Sequence, residues 1–317
     1  MTNEIRIRQP PTFVIRASTF IRHSSFAIRH FPIMAAIILH QTHTRPRKAT
    51  SESPFSRWLI IGIAVAFMGL MFVLPLVVIF QEAFRKGWEG YMEAFDDRAT
   101  THAIWLTLQV AAITVPLNTL FGLAAAWCVS RFQFRGKRFL TALIELPLWV
   151  SPVIAGMVYV LLFGAQGLFG PSLKEHGIKI IFALPGIVLS TMFVTFTFVA
   201  RVLAPQMEAQ GQAEEEAAMT LGANGWQMFW RVTLPKIKWG LLYGIILCNA
   251  RSMGEFGAVS VVSGHIRNKT NTVPLHIEVL YNEYQFVPAF AVASVLALLA
   301  LVTLILKTLT TTKRGAA

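Results

Sequence analysis

The chain has 317 residues, is 55% hydrophobic and only 14% charged, and has a mean hydropathy of +0.56. That balance excludes an ordinary soluble enzyme and points to a polytopic membrane protein. The net charge of +12 is uneven: residues 1–57 hold nine Lys/Arg against two Glu, and residues 58–317 hold nineteen against fourteen acids. The excess is therefore largely a property of the basic leading segment, which argues against nucleic-acid binding and for charge that marks a cytoplasmic side.

Residues 1–33 repeat Ile-Arg with Ser, His and Phe, as in Ile15-Arg16-Ala17-Ser18, Ile21-Arg22-His23-Ser24 and Ile28-Arg29-His30-Phe31. This Arg-rich, acid-poor pattern overlaps with organelle transit peptides and lacks the apolar stretch of a secretory signal. With no face to bury, it reads better as a start assigned too far upstream, with Met34 the better initiator. Residues 40–57 read as a flexible lead-in.

A helix needs about 20 apolar residues to cross a bilayer. Six segments qualify, at roughly 58–80, 103–129, 139–163, 181–203, 239–262 and 287–309. The third and fourth contain Pro and Gly, which membrane helices tolerate when neighbours re-satisfy the backbone. The loop after the second span carries Arg131, Arg135, Lys137 and Arg138 with no acid, and the end carries Lys307, Lys313 and Arg314. Between the first two spans, five acids (Glu82, Glu89, Glu93, Asp96, Asp97) outnumber Arg85, Lys86 and Arg98. The asymmetry predicts both termini and the 131–138 loop on the cytoplasmic side. The segment 206–235, between spans four and five, falls there too. Cys128 and Cys248 lie inside spans and read as small packing residues.

Much chemistry is missing. No Gly-x-x-x-x-Gly-Lys-Ser/Thr phosphate loop occurs, so ATP hydrolysis by this chain alone is not expected. No His-Glu-x-x-His, Cys-x-x-Cys or Gly-x-Ser-x-Gly occurs either, and the scattered histidines suggest no metal site.

The polar insert 206–235 is the feature that asks for a function. Glu214, Glu215 and Glu216 favour a helix start, Ala217, Ala218, Met219 and Leu221 give a compact apolar face, and Gly222 permits a turn. Trp226, Phe229 and Trp230 resume a helical stripe, and Pro235 marks a helix restart before span five. A helix lying on lipid is one reading. Three successive Glu suit anionic headgroups badly, so a protein partner is the better one.

The residues Glu216, Ala217, Ala218, Gly222, Val232, Leu234 and Pro235 stand at the spacing of the signature loop of binding-protein-dependent ABC importer permeases, which this chain resembles over about residues 55–310. Val232 replaces the commoner Ile. Leu146 to Gly156, with Pro147 and Pro152, and Arg251 to Ala258 resemble segments of the molybdate and sulfate permeases. Ser263 to Arg267 and Thr270 to Leu275 resemble the W-type permease subunits of sulfate/thiosulfate importers. The first 50 residues have no counterpart in the family. The resemblance implies an all-α, type I ABC importer (MetI-like) transmembrane domain of about six helices over 58–310, and a sulfate/thiosulfate importer of the bacterial inner membrane. The seven signature residues would form a coupling helix seated on separate ATPase subunits, which carry the ATP and Mg; this chain would bind no cofactor and be no enzyme. A paralogous second permease and a periplasmic sulfate/thiosulfate-binding protein would complete the complex, the latter docking on Arg267, Lys269, Thr270 and Thr272. A molybdate/tungstate importer permease and a secondary anion transporter remain alternatives.

Arg251 and Glu255, four apart on one face of span five, are costly at membrane depth unless paired or wetted. Either they pair and hold a helix interface, or with Pro147 and Pro152 they line the path and Arg251 attracts an oxyanion. One Arg does not neutralise a dianion, which favours the pairing. Arg201 is expected to close span four and reach for the interface. Thr191, Thr195 and Thr197 offer hydroxyls either to a path or, the better reading, to contacts between helices.

Overall fold

The computed structural model describes residues 54–314, with side chains over 55–306 and at Thr308. The readings made for residues 1–53, for Met34 and for the side chains of Lys307, Lys313 and Arg314 lie outside them. The chain divides into two units, 1–64 and 65–317. Of the first, only the opening turns of helix α1 (Pro54–Ala83) are described.

The second unit is helical, with no strand among the described residues. After α1 come α2 (Gly87–Asp96), α3 (Arg98–Arg131), α4 (Lys137–Trp149), α5 (Pro152–Phe163), α6 (Gly170–Glu175) and α7 (Leu184–Thr195). They are followed by α8 (Thr197–Gln210), α9 (Ala213–Thr220), α10 (Gly225–Met228), α11 (Leu234–Met253), α12 (Gly257–Ser263), α13 (Val273–Asn282) and α14 (Phe286–Arg314). Among the described residues, four stretches are long and apolar enough to cross a membrane unbroken: Phe55–Ala83, Arg98–Arg131, Leu184–Gln210 and Phe286–Leu306. Two more count as spans if each bent pair is one: Lys137–Trp149 with Pro152–Phe163, bent by 107°, and Gly225–Met253 with Gly257–Ser263, bent by 49°.

The third span is thus sharply broken, where a tolerated Pro was expected. Val150 is extended (φ −86°, ψ 131°) and Pro152 opens α5. A residue before Pro is driven out of the α region, and Ser151 takes φ −58°, ψ 131°. Pro147 sits buried inside α4. Pro235 falls in the first turn of α11, where a helix restart was expected, although no loop precedes it. The chain runs on from Met228 through a π turn, Phe229–Thr233, in which the Leu234 amide donates to the Phe229 carbonyl. A helical Pro lacks an N–H and crowds the preceding turn, and the wider turn relieves that crowding.

Helix α3 is the axis of the core. Its Ala126 joins Val199, Leu203, Met207, Ile237 and Cys248 in one buried cluster; its Leu106 and Val110 join Ile187, Val188, Val259 and Leu275 in another. Ala103 packs with Val273, Leu280, Ala289 and Val292 in a third. Within the spans, Asn118 donates from Nδ2 to Thr195 Oγ1 at 2.7 Å and to the Met192 carbonyl at 3.3 Å. Thr191 and Thr195 return their own hydroxyl hydrogens to carbonyls one turn back. Thr195 thus serves a contact between helices, the Thr191 hydroxyl stays within its own helix, and the Thr197 hydroxyl has no hydrogen-bond partner among the described residues.

Candidate functional site

Of the insert read as 206–235, residues 206–210 still belong to α8, which ends at Gln210. Gly211 follows at φ 67°, ψ −173°, a conformation essentially reserved for glycine. Helix α9 then runs eight residues, with Glu214, Glu215 and Glu216 in its first turn. Gly222 follows at φ +88° with open space around it, so backbone conformation, not crowding, calls for glycine there. The Asn224 carboxamide and the Gln227 side chain cap α10 reciprocally, a two-way cap that starts the next helix cleanly.

The three glutamates part company. Glu216 and Ala217 are exposed, with Met219 52% and Leu221 89% exposed beside them. Ala218, Leu221, Gly222 and Val232 line a shallow depression of about 300 Å³ with Arg231 and Gln227. Trp226 and Trp230 stand outward at 71% and 49% exposure, ring edge to face 5.5 Å apart, and Phe229 packs on Trp127. Glu214 pairs with Lys236 at 3.0 Å near the surface.

Glu215 turns inward. Its Oε2 lies 2.9 Å from Arg131 Nε and its Oε1 accepts from Arg131 Nη2 at 3.0 Å, with the two side chains only 7% and 6% exposed. Thr233 Oγ1 donates to the same Oε1 at 2.8 Å, and Arg131 Nη1 donates to the Met207 carbonyl at 2.9 Å. Burying two charges is costly unless the remaining hydrogen-bonding capacity is met, and here Thr233 and the carbonyl help meet it. Reading Arg131 as one more loop charge is therefore corrected: it is an internal group.

In span five, Arg251 Nη1 and Glu255 Oε2 are 2.7 Å apart, with side chains 34% and 1% exposed. The pairing reading matches this geometry. Glu255 sits in the break of the span, and its Oε1 accepts from the Ala258 amide at 3.0 Å. Pro152, at the break of span three, lies against Gly257, where a Cβ would come 3.0 Å from the Pro152 Cβ. The breaks of the two spans thus meet.

Arg201 is exposed on α8, which runs on to Gln210. It lines a cavity of about 170 Å³ with Glu145, Glu208, Thr141 and Thr197. On the 264–272 loop, Arg267 Nη2 reaches both Glu283 oxygens at 2.8 and 2.9 Å and Lys269 is exposed. Thr270 and Thr272 are only 2% and 4% exposed, contrary to the expectation that they present a docking surface. The Thr270 hydroxyl is turned back to the Ile266 amide. Arg267 also lines an open hollow of about 890 Å³ with Arg85, Lys86, Glu93 and Asp97. His276 is fully buried, its Nε2 2.9 Å from Thr100 Oγ1. Among the described residues no group of three or more His, Cys, Asp or Glu is placed to hold a metal ion.

Apolar spans, two of them broken where they meet, define a polytopic membrane protein. The relatives carry this further. Residues 118–313 match the family described as binding-protein-dependent transport system inner membrane component, and the chain belongs to that family. It is 50% identical over 259 residues to the sulfate transport system permease protein CysW of Synechocystis sp. (strain ATCC 27184 / PCC 6803 / Kazusa), covering 82% of this chain and 94% of that protein. With CysW of Escherichia coli (strain K12) identity is 49% over 255 residues, 80% and 88% of the two chains. With the sulfate transport system permease protein CysT of the same strain it is 35% over 238 residues, 75% and 86%. In solved structures, a chain of a bacterial alginate ABC transporter in complex with an alginate pentasaccharide-bound periplasmic protein superposes with a TM-score of 0.66. That match covers 80% of this chain and 92% of that one at 18% identity, which is a likeness of fold.

Proposed function

We propose that this chain is the permease subunit of an ABC importer that carries sulfate or thiosulfate across the inner membrane, driven by ATP hydrolysis in separate subunits. The observation that carries the reading is the 49–50% identity, over most of both chains, to permeases named for sulfate transport. The 35% identity to CysT supports a paralogous permease as the second half of the path. The ATPase subunits, which hold ATP and Mg, dock on Glu216, Ala217, Ala218, Gly222, Val232, Leu234 and Pro235. The exposure of Glu216, Ala217 and Leu221 supports this docking, as does the depression beside them. This side and both termini are cytoplasmic. A loaded periplasmic binding protein docks on the opposite side, around Arg267 and Lys269. Arg251, Glu255, Pro147 and Pro152 shape the path or its walls where the broken spans meet. This chain itself catalyses nothing.

The test is reconstitution of the permease pair with its ATPase and binding protein in vesicles, followed by uptake of labelled sulfate with labelled molybdate as the competing cargo. ATP-dependent sulfate uptake that requires the binding protein is expected. Uptake of molybdate in preference, or uptake by the permeases without ATPase, would overturn the assignment. Glu216→Lys, at an exposed position, should leave insertion intact and weaken ATPase retention in a pull-down.

A further inference from the structure

Helix α9 has little to hold it. It is eight residues long and Glu215 is its one buried residue. It is flanked by Gly211 at φ +67° and Gly222 at φ +88°, two joints at which the backbone is unusually free to turn. A short helix between such joints does not transmit a push in a defined direction through its main chain. The Glu214–Lys236 tie is 64% exposed on the carboxylate side, and a screened surface pair adds little rigidity. What fixes α9 is the Glu215 carboxylate.

That carboxylate reaches two other elements directly and a third through Arg131. Arg131 is the last residue of α3, the 34-residue second span. Thr233 ends the π turn that leads into span five. Arg131 in turn holds the Met207 carbonyl near the end of span four, and its own carbonyl accepts from Gln212 Nε2 at 3.4 Å. A planar guanidinium facing a carboxylate through two of its nitrogens resists swivelling in a way that a lysine point charge does not.

We propose that Arg131 and Glu215 are positioning residues that make α9 move as one body with the second span, so that they transmit ATPase motion without themselves forming the docking face. This rests on the reading of α9 as the coupling helix. Docking and transmission then belong to different glutamates: Glu216 outward to the partner, Glu215 inward to the bundle. Breaking the inner pair should leave the ATPase bound and hydrolysing while transport fails.

The test uses the full reconstituted complex and measures three quantities side by side: ATPase co-purification, ATP hydrolysis and sulfate taken up per ATP hydrolysed. Glu215→Gln and Arg131→Gln are expected to retain the ATPase and to lower uptake per ATP about tenfold, the scale of a coupling free energy between sites. Arg131→Lys should recover little, and the exchanged pair R131E/E215R should recover more than either single variant. Unchanged uptake per ATP in both Gln variants would overturn the proposal, as would loss of ATPase binding in step with transport, which would make the pair a scaffold for docking. Thr233→Val removes one contact to Glu215 and no charge. If the charge variants leave no folded permease in the membrane, an unchanged uptake per ATP in Thr233→Val counts against the joint and a reduced one supports it. Absence of ATP-driven sulfate uptake by the unmodified complex would be a failure of the functional reading instead, visible before any variant is made.

Discussion

One oxygen of Glu255 lies 2.7 Å from Arg251 Nη1 while the other accepts the Ala258 amide at 3.0 Å. A single carboxylate thus neutralises a membrane-depth arginine and caps the helix that resumes after the break in span five. Removing it leaves an unpaired charge and an uncapped helix start together. Glu255→Ala should destabilise, by less than the roughly 3–5 kcal/mol of a fully buried pair, because Arg251 is 34% exposed. Glu255→Gln keeps an acceptor for Ala258 and should cost less. Thermal unfolding of the purified protein in detergent ranks the two. Equal losses would mean that the cap contributes nothing, and no loss in either would mean that Arg251 is already satisfied by water or a partner.

Gly222 makes a different kind of demand. Its φ of +88° with open space around it penalises any Cβ through the backbone alone. β-Branched residues suffer most there, and Asn tolerates such angles better. Gly222→Val should uncouple ATP hydrolysis from uptake while insertion in the membrane is unaffected, and Gly222→Asn should retain more transport than Gly222→Val. Equal uptake by the two variants in vesicles would show that conformation at this turn is not what the glycine supplies.

The spans were legible because twenty apolar residues have few other fates, and the signature spacing from Glu216 to Pro235 located the exposed helix before any coordinates. The break at Pro152 was harder to read. Pro is tolerated in many membrane helices, and the contact of Pro152 and Val153 with Gly257, about a hundred residues later, is visible only in the fold. The difference between Glu215 and Glu216 was not legible at all. Both sit in one acidic run, and only the fold brings Arg131, 84 residues earlier, against one of them. Thr270 and Thr272 misled in the opposite sense, because polar residues beside Lys269 read as surface although the loop folds them under. The place of Arg201 beside Glu145 and Glu208 was likewise visible only in the fold.

His276, on α13 outside the spans, gives a pH dependence with a definite sign. Burial holds its imidazole below the ordinary value of 6.5; Asp97 and Glu283 pull it upward and Arg267 pushes it down, without reversing the effect of burial. The unfolded chain therefore binds more protons than the folded one between the folded value and 6.5. Stability should be full above that point and fall as the pH drops below it. His276→Gln, which keeps a polar partner for Thr100, should flatten this part of the profile. Unfolding temperatures of both proteins measured from about pH 5 to about pH 8 decide it, and parallel curves would mean that His276 already accepts a proton freely in the folded protein.

The two broken spans meet through glycine. A Cβ on Gly156 would lie 2.7 Å from the Ala258 carbonyl oxygen and 3.0 Å from Val261 Cβ, distances at which α5 and α12 must separate. On helix propensity alone, Gly156→Ala in α5 would be favourable by about 1 kcal/mol. Overpacking a close contact costs about 1–3 kcal/mol, and the nearest atom here is backbone, which does not move aside as a flexible side chain does. Packing should therefore win, so that Gly156→Ala lowers the unfolding temperature in detergent and Gly156→Leu lowers it further. Separation of α5 from α12 also displaces Pro152 from Gly257 and with it the break that Glu255 caps. Gly156→Ala combined with Glu255→Ala should then cost less than the sum of the two single losses, as residues sharing one contact do. A strictly additive pair would show that the packing of α5 on α12 and the capping of α12 are independent.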